Sequence, residues 1–248
     1  MKQQDLQNVA DAIVDYLPES YTSAIILAAG SSTRMGEINK QLYQLNGIPV
    51  LAHTMLAYQK CPLIREIVVV TKKEDFSAVL EMRNKYGITK LKHLVTGGKT
   101  RQESARRGMS KLDADAKYVA IVDGARCLTT PAQIAKVCLM AYHYKAACAA
   151  HLVEDTMKRA TVAGSVRETV DRTNLWQAQT PQVFSTALYR AALVKADTDK
   201  FVGTDDSALI EHLGYRVRLV ECGRSNIKIT TPMDLPLAQA ILDYRTKE

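Results

Sequence analysis

This 248-residue sequence predicts an α/β fold in which a mostly parallel sheet is flanked by helices. Three observations predict it. Short apolar, β-branched runs alternate with helical patterns; those runs are too continuous for strands with one solvated face; and a loop of small residues directly follows the first of them. Strands buried on both faces read in this way, and the intervening helices cover the sheet.

Leu6, Val9, Ala10, Ile13, Val14 and Leu17 recur at helical spacing, which predicts an amphipathic N-terminal helix over residues 1–20, with Pro18 ending it. A single domain over residues 21–248 is expected to follow. Strands are expected at 24–27, 67–70, 91–95 and 118–122. Helices are expected between and after them at 50–59, 76–85, 101–110 and 132–144, the last entered through Pro131 in a favourable first-turn position. From 153 to 172 the chain turns polar and β-prone, with Thr161, Val162, Val166, Thr169 and Val170, which predicts a protruding β-arm at about 153–173. Helices at 186–196 and 205–212, strands at 216–220 and 226–229, and a final helix at 232–244 complete the pattern.

Composition narrows the function classes. No apolar stretch approaches the roughly 18 to 20 residues that cross a membrane, and Asp5, Asp11 and Asp15 stand where a signal sequence would be basic and then apolar. A cytoplasmic protein is expected. Cys61, Cys127, Cys138, Cys148 and Cys222 are odd in number and widely spaced, which suits buried thiols and neither a disulfide framework nor a CxxC site. The net charge of +7 suits an anionic ligand, but it is spread along the chain, and with 6% aromatic residues there is no basic-aromatic run to bind nucleic acid.

The first strand runs into Ala28-Ala29-Gly30-Ser31-Ser32-Thr33-Arg34-Met35-Gly36, a small-residue loop at the carboxyl end of a strand, where open α/β sheets bind ligands. Small side chains let backbone N–H groups approach phosphate oxygens, and Arg34 and Lys40 add charge. The loop lacks the GxGxxG spacing. Gly98-Lys99-Thr100 imitates the end of a Walker A loop, but His93 stands where that motif requires glycine.

This loop, with Lys40-Gln41 after it, resembles the signature of the 2-C-methyl-D-erythritol 4-phosphate cytidylyltransferases. Further blocks follow in that family's order: the segment from Gly97-Gly98 to Ser104, Val122-Asp123-Gly124-Ala125-Arg126, Asp155-Thr156-Met157-Lys158-Arg159, the run from Asp171-Arg172 through Trp176 to Thr180-Pro181-Gln182, Thr204-Asp205-Asp206, and Asn226-Ile227-Lys228-Ile229-Thr230. The resemblance covers nearly everything after residue 23. It implies a Rossmann-like nucleotidyltransferase fold, CTP and a polyol phosphate as substrates, and Mg2+ held mainly by phosphates.

The resemblance also assigns roles. Arg34, Lys40 and Lys228 would hold the triphosphate and the charge of the transition state. Ala28, Ala29, Gly30, Gly97, Gly98, Ser104 and Asp123 would bind the nucleotide, with Asp123 also a possible metal ligand. Arg126, Thr156, Arg172 and Thr180 would bind the polyol phosphate, Thr156 and Arg172 coming from the arm of a second subunit in a homodimer. Residue chemistry leaves alternatives beside these. Ser104 suits a helix surface, Asp123 suits a turn cap, Arg172 suits an ion pair, and Asp205 and Asp206 suit helix capping as well as a metal pair.

The sequence departs from the family pattern at Val122, Gly124 and Cys127, where a His, an Ala and a Pro are usual. It also departs at Asn39 before Lys40, in a segment one residue shorter than usual, and at Lys99 where an acid is common. These departures keep two alternatives open, a ribitol-5-phosphate cytidylyltransferase and a nucleotide-binding regulatory protein that has lost catalysis.

Overall fold

The computed structural model describes residues 21–30, 33–36 and 38–247; the helix expected over 1–20 lies outside them. β1 (Thr22–Leu27) leads through a short 3-10 turn (Thr33–Met35) to a small hairpin of β2 (Gln44–Leu45) and β3 (Ile48–Pro49). Asn46 and Gly47 form its two-residue turn with φ of 50° and 73°, the left-handed pair that matches strand twist. There follow α1 (Val50–Lys60), β4 (Ile64–Thr71), α2 (Phe76–Lys85), β5 (Leu91–Thr96), α3 (Arg101–Met109), β6 (Tyr118–Asp123), α4 (Pro131–Tyr144) and β7 (Ala146–Leu152). The chain then forms β8 (Met157–Ala160), β9 (Val166–Val170), β10 (Trp176–Ser185), α5 (Thr186–Thr198), α6 (Asp206–His212), β11 (Arg218–Glu221) and α7 (Asp234–Arg245).

Seven strands form one sheet in the order β11-β7-β10-β6-β1-β4-β5. β6, β1, β4 and β5 run parallel, as does β11 with β7, while β10 is antiparallel to both its neighbours. Period-two alternation makes two cores from the central strands. Ala24, Ile26, Ile67, Val69, Ala120 and Val122 pack on one face with α1, α2 and α4. Ile25, Val68, Val70, Val119 and Ile121 pack on the other with α3, α5 and α6. Each such Val or Ile contributes roughly 1.5–3 kcal/mol through burial. A third cluster, with Met35, Leu45, Leu128, Ile229 and Leu235, packs the first hairpin and α7 together.

The strands differ in part from the sequence reading. The short hairpin of β2 and β3, β7 and β10 were not anticipated, and no strand forms at 226–229. That last segment makes one backbone bond, from Ile229 N–H to Ala125 O at 2.9 Å, and otherwise crosses loops instead of lying along a neighbouring strand. Within the stretch expected as an arm, β8 and β9 form an antiparallel pair separate from the main sheet and almost wholly exposed. All five cysteines are buried and unpaired.

Candidate functional site

A cleft of about 470 Å³ opens at the carboxyl ends of β1 and β6. Ala29, Gly30, Lys40 and Gln41 line it from the loop after β1, Gly98 to Arg101 and Ser104 from the turn into α3, Asp123 to Ala125 from the end of β6, and Lys228 from the loop after β11. Asp123 is the one acid among these lining residues, against Lys40, Lys99, Arg101 and Lys228. Convergent cations at the end of a parallel sheet make a site for a polyanion.

Each part is held by local chemistry. Gly97 lies so close to the first loop that an added Cβ would sit 2.2 Å from Ala29 Cβ, which only glycine permits. Gly98 N–H donates to Ser104 Oγ at 2.9 Å, and Ser104 Oγ donates to Thr100 O at 2.9 Å. Thr100 caps α3 by accepting from Glu103 N–H at 3.0 Å. Ser104 is therefore a buried brace of the turn and lines the cleft; the helix-surface alternative falls.

Asn39 Oδ1 accepts from Gln41 N–H at 3.2 Å while its amide donates to Asp75 at 3.1 Å, so the shortened segment still delivers Lys40 to the cleft. The Lys40 ammonium donates to Ile229 O at 3.1 Å. Burial, and then the neighbouring Lys228 charge, lower its pKa below that of an ordinary lysine. The loop carrying Lys228 is pinned from both sides. Asn226, fully buried, accepts from Thr129 Oγ1 at 2.7 Å and donates to Gln179 Oε1 at 3.1 Å and Thr180 O at 3.0 Å. Asp234 accepts from the N–H groups of Thr230 and Thr231, both at 2.8 Å.

Asp123 ends β6 with its N–H donated to Thr180 Oγ1 at 3.0 Å. Its carboxylate faces Lys228 Nζ at 2.9 Å, Arg126 Nε at 3.5 Å and Arg101 Nε at 3.6 Å. Burial pushes this carboxyl up, but Lys228, Arg101 and Arg126 outweigh it and hold the group below the ordinary aspartate range. Asp123 thus stays ionised, and the turn-cap alternative does not describe it.

The remaining sequence-derived residues divide. Arg126 donates to Asn226 O at 2.7 Å and flanks Asp123 together with Thr180. Arg34 is exposed on the 3-10 turn outside the cleft lining, though its charge contributes to lowering the Lys40 pKa. The Ala28 N–H is engaged by Val70 O at 2.7 Å and the Gly97 N–H by Thr71 O at 3.0 Å, so Ala29, Gly30 and Gly98 present these two turns to the cleft. Thr156 is exposed at the base of the hairpin and Arg172 donates to Glu154 O; neither lines the cleft of its own chain. Asp205 caps α6 by accepting from Ala208 N–H at 2.9 Å, and Asp206 is ion-paired to Arg101, so they do not form a metal pair.

Val122 is fully buried in one core and Cys127 lies in the third cluster, so these two departures leave the cleft lining unchanged. Gly124 does line it, and an added Cβ there would meet Ala28 Cβ, Gln41 Oε1 and Leu27 O, each at 3.1 Å. Gln41, Lys99, Thr100 and Arg101 line the cleft without having been assigned a role from sequence. The signal for the last three lay in the 97–104 block, where basic residues open a helix beside a glycine pair.

The sequence model described as 2-C-methyl-D-erythritol 4-phosphate cytidylyltransferase matches residues 22–244. A curated protein of that name from Caldanaerobacter subterraneus subsp. tengcongensis is 44% identical over 222 residues, covering 89% of this chain and 98% of the relative. One from Syntrophus aciditrophicus is 42% identical, covering 88% and 94%. The crystal structure of 4-diphosphocytidyl-2C-methyl-D-erythritol synthase from Anaerococcus prevotii superposes with a TM-score of 0.80 at 31% identity, covering 91% of this chain and 99% of the other. A Francisella tularensis cytidylyltransferase structure gives 0.75 at 29% identity, covering 90% and 100%.

Proposed function

The chain belongs to the 2-C-methyl-D-erythritol 4-phosphate cytidylyltransferase family, and from that membership we propose that its cleft binds CTP and transfers the cytidylyl group to 2-C-methyl-D-erythritol 4-phosphate in isoprenoid biosynthesis. The observation that carries this for the residues themselves is the cluster of Lys40, Lys99, Arg101 and Lys228 around the single acid Asp123.

A phosphate oxygen of the acceptor attacks the α-phosphorus of CTP. The new P–O bond forms as the bond to the β-phosphate oxygen breaks, and pyrophosphate leaves with that electron pair. The nucleophile is already ionised, so no general base is needed. The barrier comes from bringing two anions together and from charge building on the phosphorus, which pre-placed cations stabilise. Lys40 and Lys228 do this from within the cleft and Arg34 from the turn above it. Gly98 and Ser104 support a compact turn whose backbone groups can distinguish an exocyclic amine from a carbonyl on the base.

Arg126 and Thr180, beside Asp123, receive the acceptor. Thr156 and Arg172 reach the same site from the arm of a second chain in a homodimer. Asp123 alone among the cleft-lining residues offers an anionic oxygen, which fits Mg2+ that takes one carboxylate and completes its shell with phosphate and water. When bound, that ion neutralises phosphate charge. No helix among the described residues is long and apolar enough to cross a membrane.

The test is pyrophosphate release from CTP and Mg2+ with methylerythritol 4-phosphate and ribitol 5-phosphate offered separately. Turnover with the first is expected. Turnover with ribitol 5-phosphate alone overturns the acceptor, and silence with both overturns the reading.

A further inference from the structure

Asp206 begins α6 and is 1% exposed, so it cannot meet a ligand in the cleft directly. A carboxylate buried this deeply persists only if its oxygens are satisfied. One oxygen accepts from Tyr189 OH and the other from the Arg101 guanidinium. Its backbone N–H and that of Ser207 donate to Gln182 Oε1 at 3.0 and 2.9 Å, and the Gln182 amide donates to Asp205 at 2.7 Å. The carboxylate therefore has one position.

Arg101 connects that fixed point to the cleft. Its NH1 binds Asp206 while its Nε lies 3.6 Å from Asp123, and its side chain, 32% exposed, lines the cleft. A planar guanidinium tethered at one nitrogen keeps a defined orientation, which an untethered arginine at a cleft wall would not. Untethered, its whole fork could turn onto the nearby Asp123 carboxylate, which it now meets only through Nε.

We propose that Asp206, through Arg101, is a positioning residue of the nucleotide site: it keeps the guanidinium from turning wholly onto Asp123, which it meets only through Nε at 3.6 Å, so that its charge is presented to the phosphates of the bound nucleotide. This rests on the cytidylyl-transfer reading. Turnover by the unmodified enzyme tests that reading on its own, and everything below is measured relative to it.

The experiment compares the native chain with Arg101→Met, Asp206→Asn and the double variant, measuring melting temperature, kcat/KM for CTP and KM for the acceptor. Asp206→Asn keeps the shape but removes the charge. Its kcat/KM for CTP is expected to fall roughly tenfold or more with acceptor KM little changed, and the double variant is expected to match Arg101→Met, because residues that act as a unit are not additive. A loss that instead moves acceptor KM equally, or a second full loss when Asp206→Asn is added to Arg101→Met, overturns the proposal, as does native kcat/KM in either single variant. If Asp206→Asn alone does not fold because it strands a buried cation, the double variant removes both charges. Its agreement with Arg101→Met then supports the proposal, and a further tenfold deficit sinks it.

Discussion

Lys228 Nζ lies 2.9 Å from the Asp123 carboxylate, joining the loop after β11 to the end of the central strand β6. The pair is the closest of three cationic contacts on Asp123 and sits at the wall of the cleft. A lysine that is half in solvent and half committed to an acid can turn to an incoming phosphate, at which point Arg101 and Arg126 still balance Asp123. Lys228→Met is therefore expected to lower kcat by about 10²–10³, the range for removing one pre-placed group that stabilises developing charge. Lys228→Arg should retain part of the rate. Steady-state pyrophosphate release checks both, and a methionine variant with native kcat would remove Lys228 from the reaction.

Lys40 makes the site sensitive to alkali. Its pKa is lowered by burial first and by Lys228 second, and a bound triphosphate would raise it again. CTP affinity should therefore weaken as pH rises through the lowered Lys40 pKa, earlier than for an ordinary lysine, and Lys40→Arg should flatten that inflection. The effect on stability has the opposite direction. A base whose folded pKa is depressed works against folding while both states are charged, and the penalty fades as pH rises through its folded value. Lys40→Met should accordingly melt no lower than the native chain at neutral pH while losing CTP binding. Titration calorimetry and thermal melts across pH 7 to 10 would separate the two effects.

The central strands were legible because nothing but apolar, β-branched residues fills a strand covered on both faces, as in Ile67 to Val70. β7 was hidden because Ala146-Ala147-Cys148-Ala149-Ala150 reads as a continuation of α4, which in fact ends at Lys145 in a left-handed conformation. β10 was hidden by Gln179, Pro181 and Gln182, unusual in a central strand; a register irregularity against β7 between Ala178 and Gln182 accommodates them. The small-residue loop announced a phosphate site from its composition, and the 97–104 block announced a nucleotide role only through the family resemblance. The link from Asp206 through Arg101 did not, because two acids before a helix look alike until burial separates the one that caps, Asp205, from the one that is paired.

The arm makes a prediction about shared sites. Arg172 lines no part of its own chain's cleft, whereas Lys228 does. If the arm serves a neighbouring chain, Arg172→Ala and Lys228→Met homodimers are each defective. In a mixed dimer, however, one site combines an intact cleft with an intact arm. Co-refolding equal amounts should restore about a quarter of the native rate, since half the dimers are mixed and each has one complete site. No recovery, or a light-scattering mass of one chain, would rule out a shared site.

Gly97 tests how closely the two turns at the cleft must approach. A Cβ there would lie 2.2 Å from Ala29 Cβ and 3.3 Å from Ser104 Oγ, so the first loop and the α3 turn would have to part. At Gly98 the added atom meets the Glu103 side chain at 2.4 Å, which includes flexible outer atoms and lies away from Ala29. Gly97→Ala is therefore expected to cost about 1–3 kcal/mol of stability through overpacking. It should also raise KM for CTP more than Gly98→Ala does, because it displaces Ala29 and Ser104, two walls of the cleft. Denaturant melts and CTP titrations of both variants decide it. Equal effects would mean that the turn moves as a unit and that its approach to Ala29 sets nothing in the site.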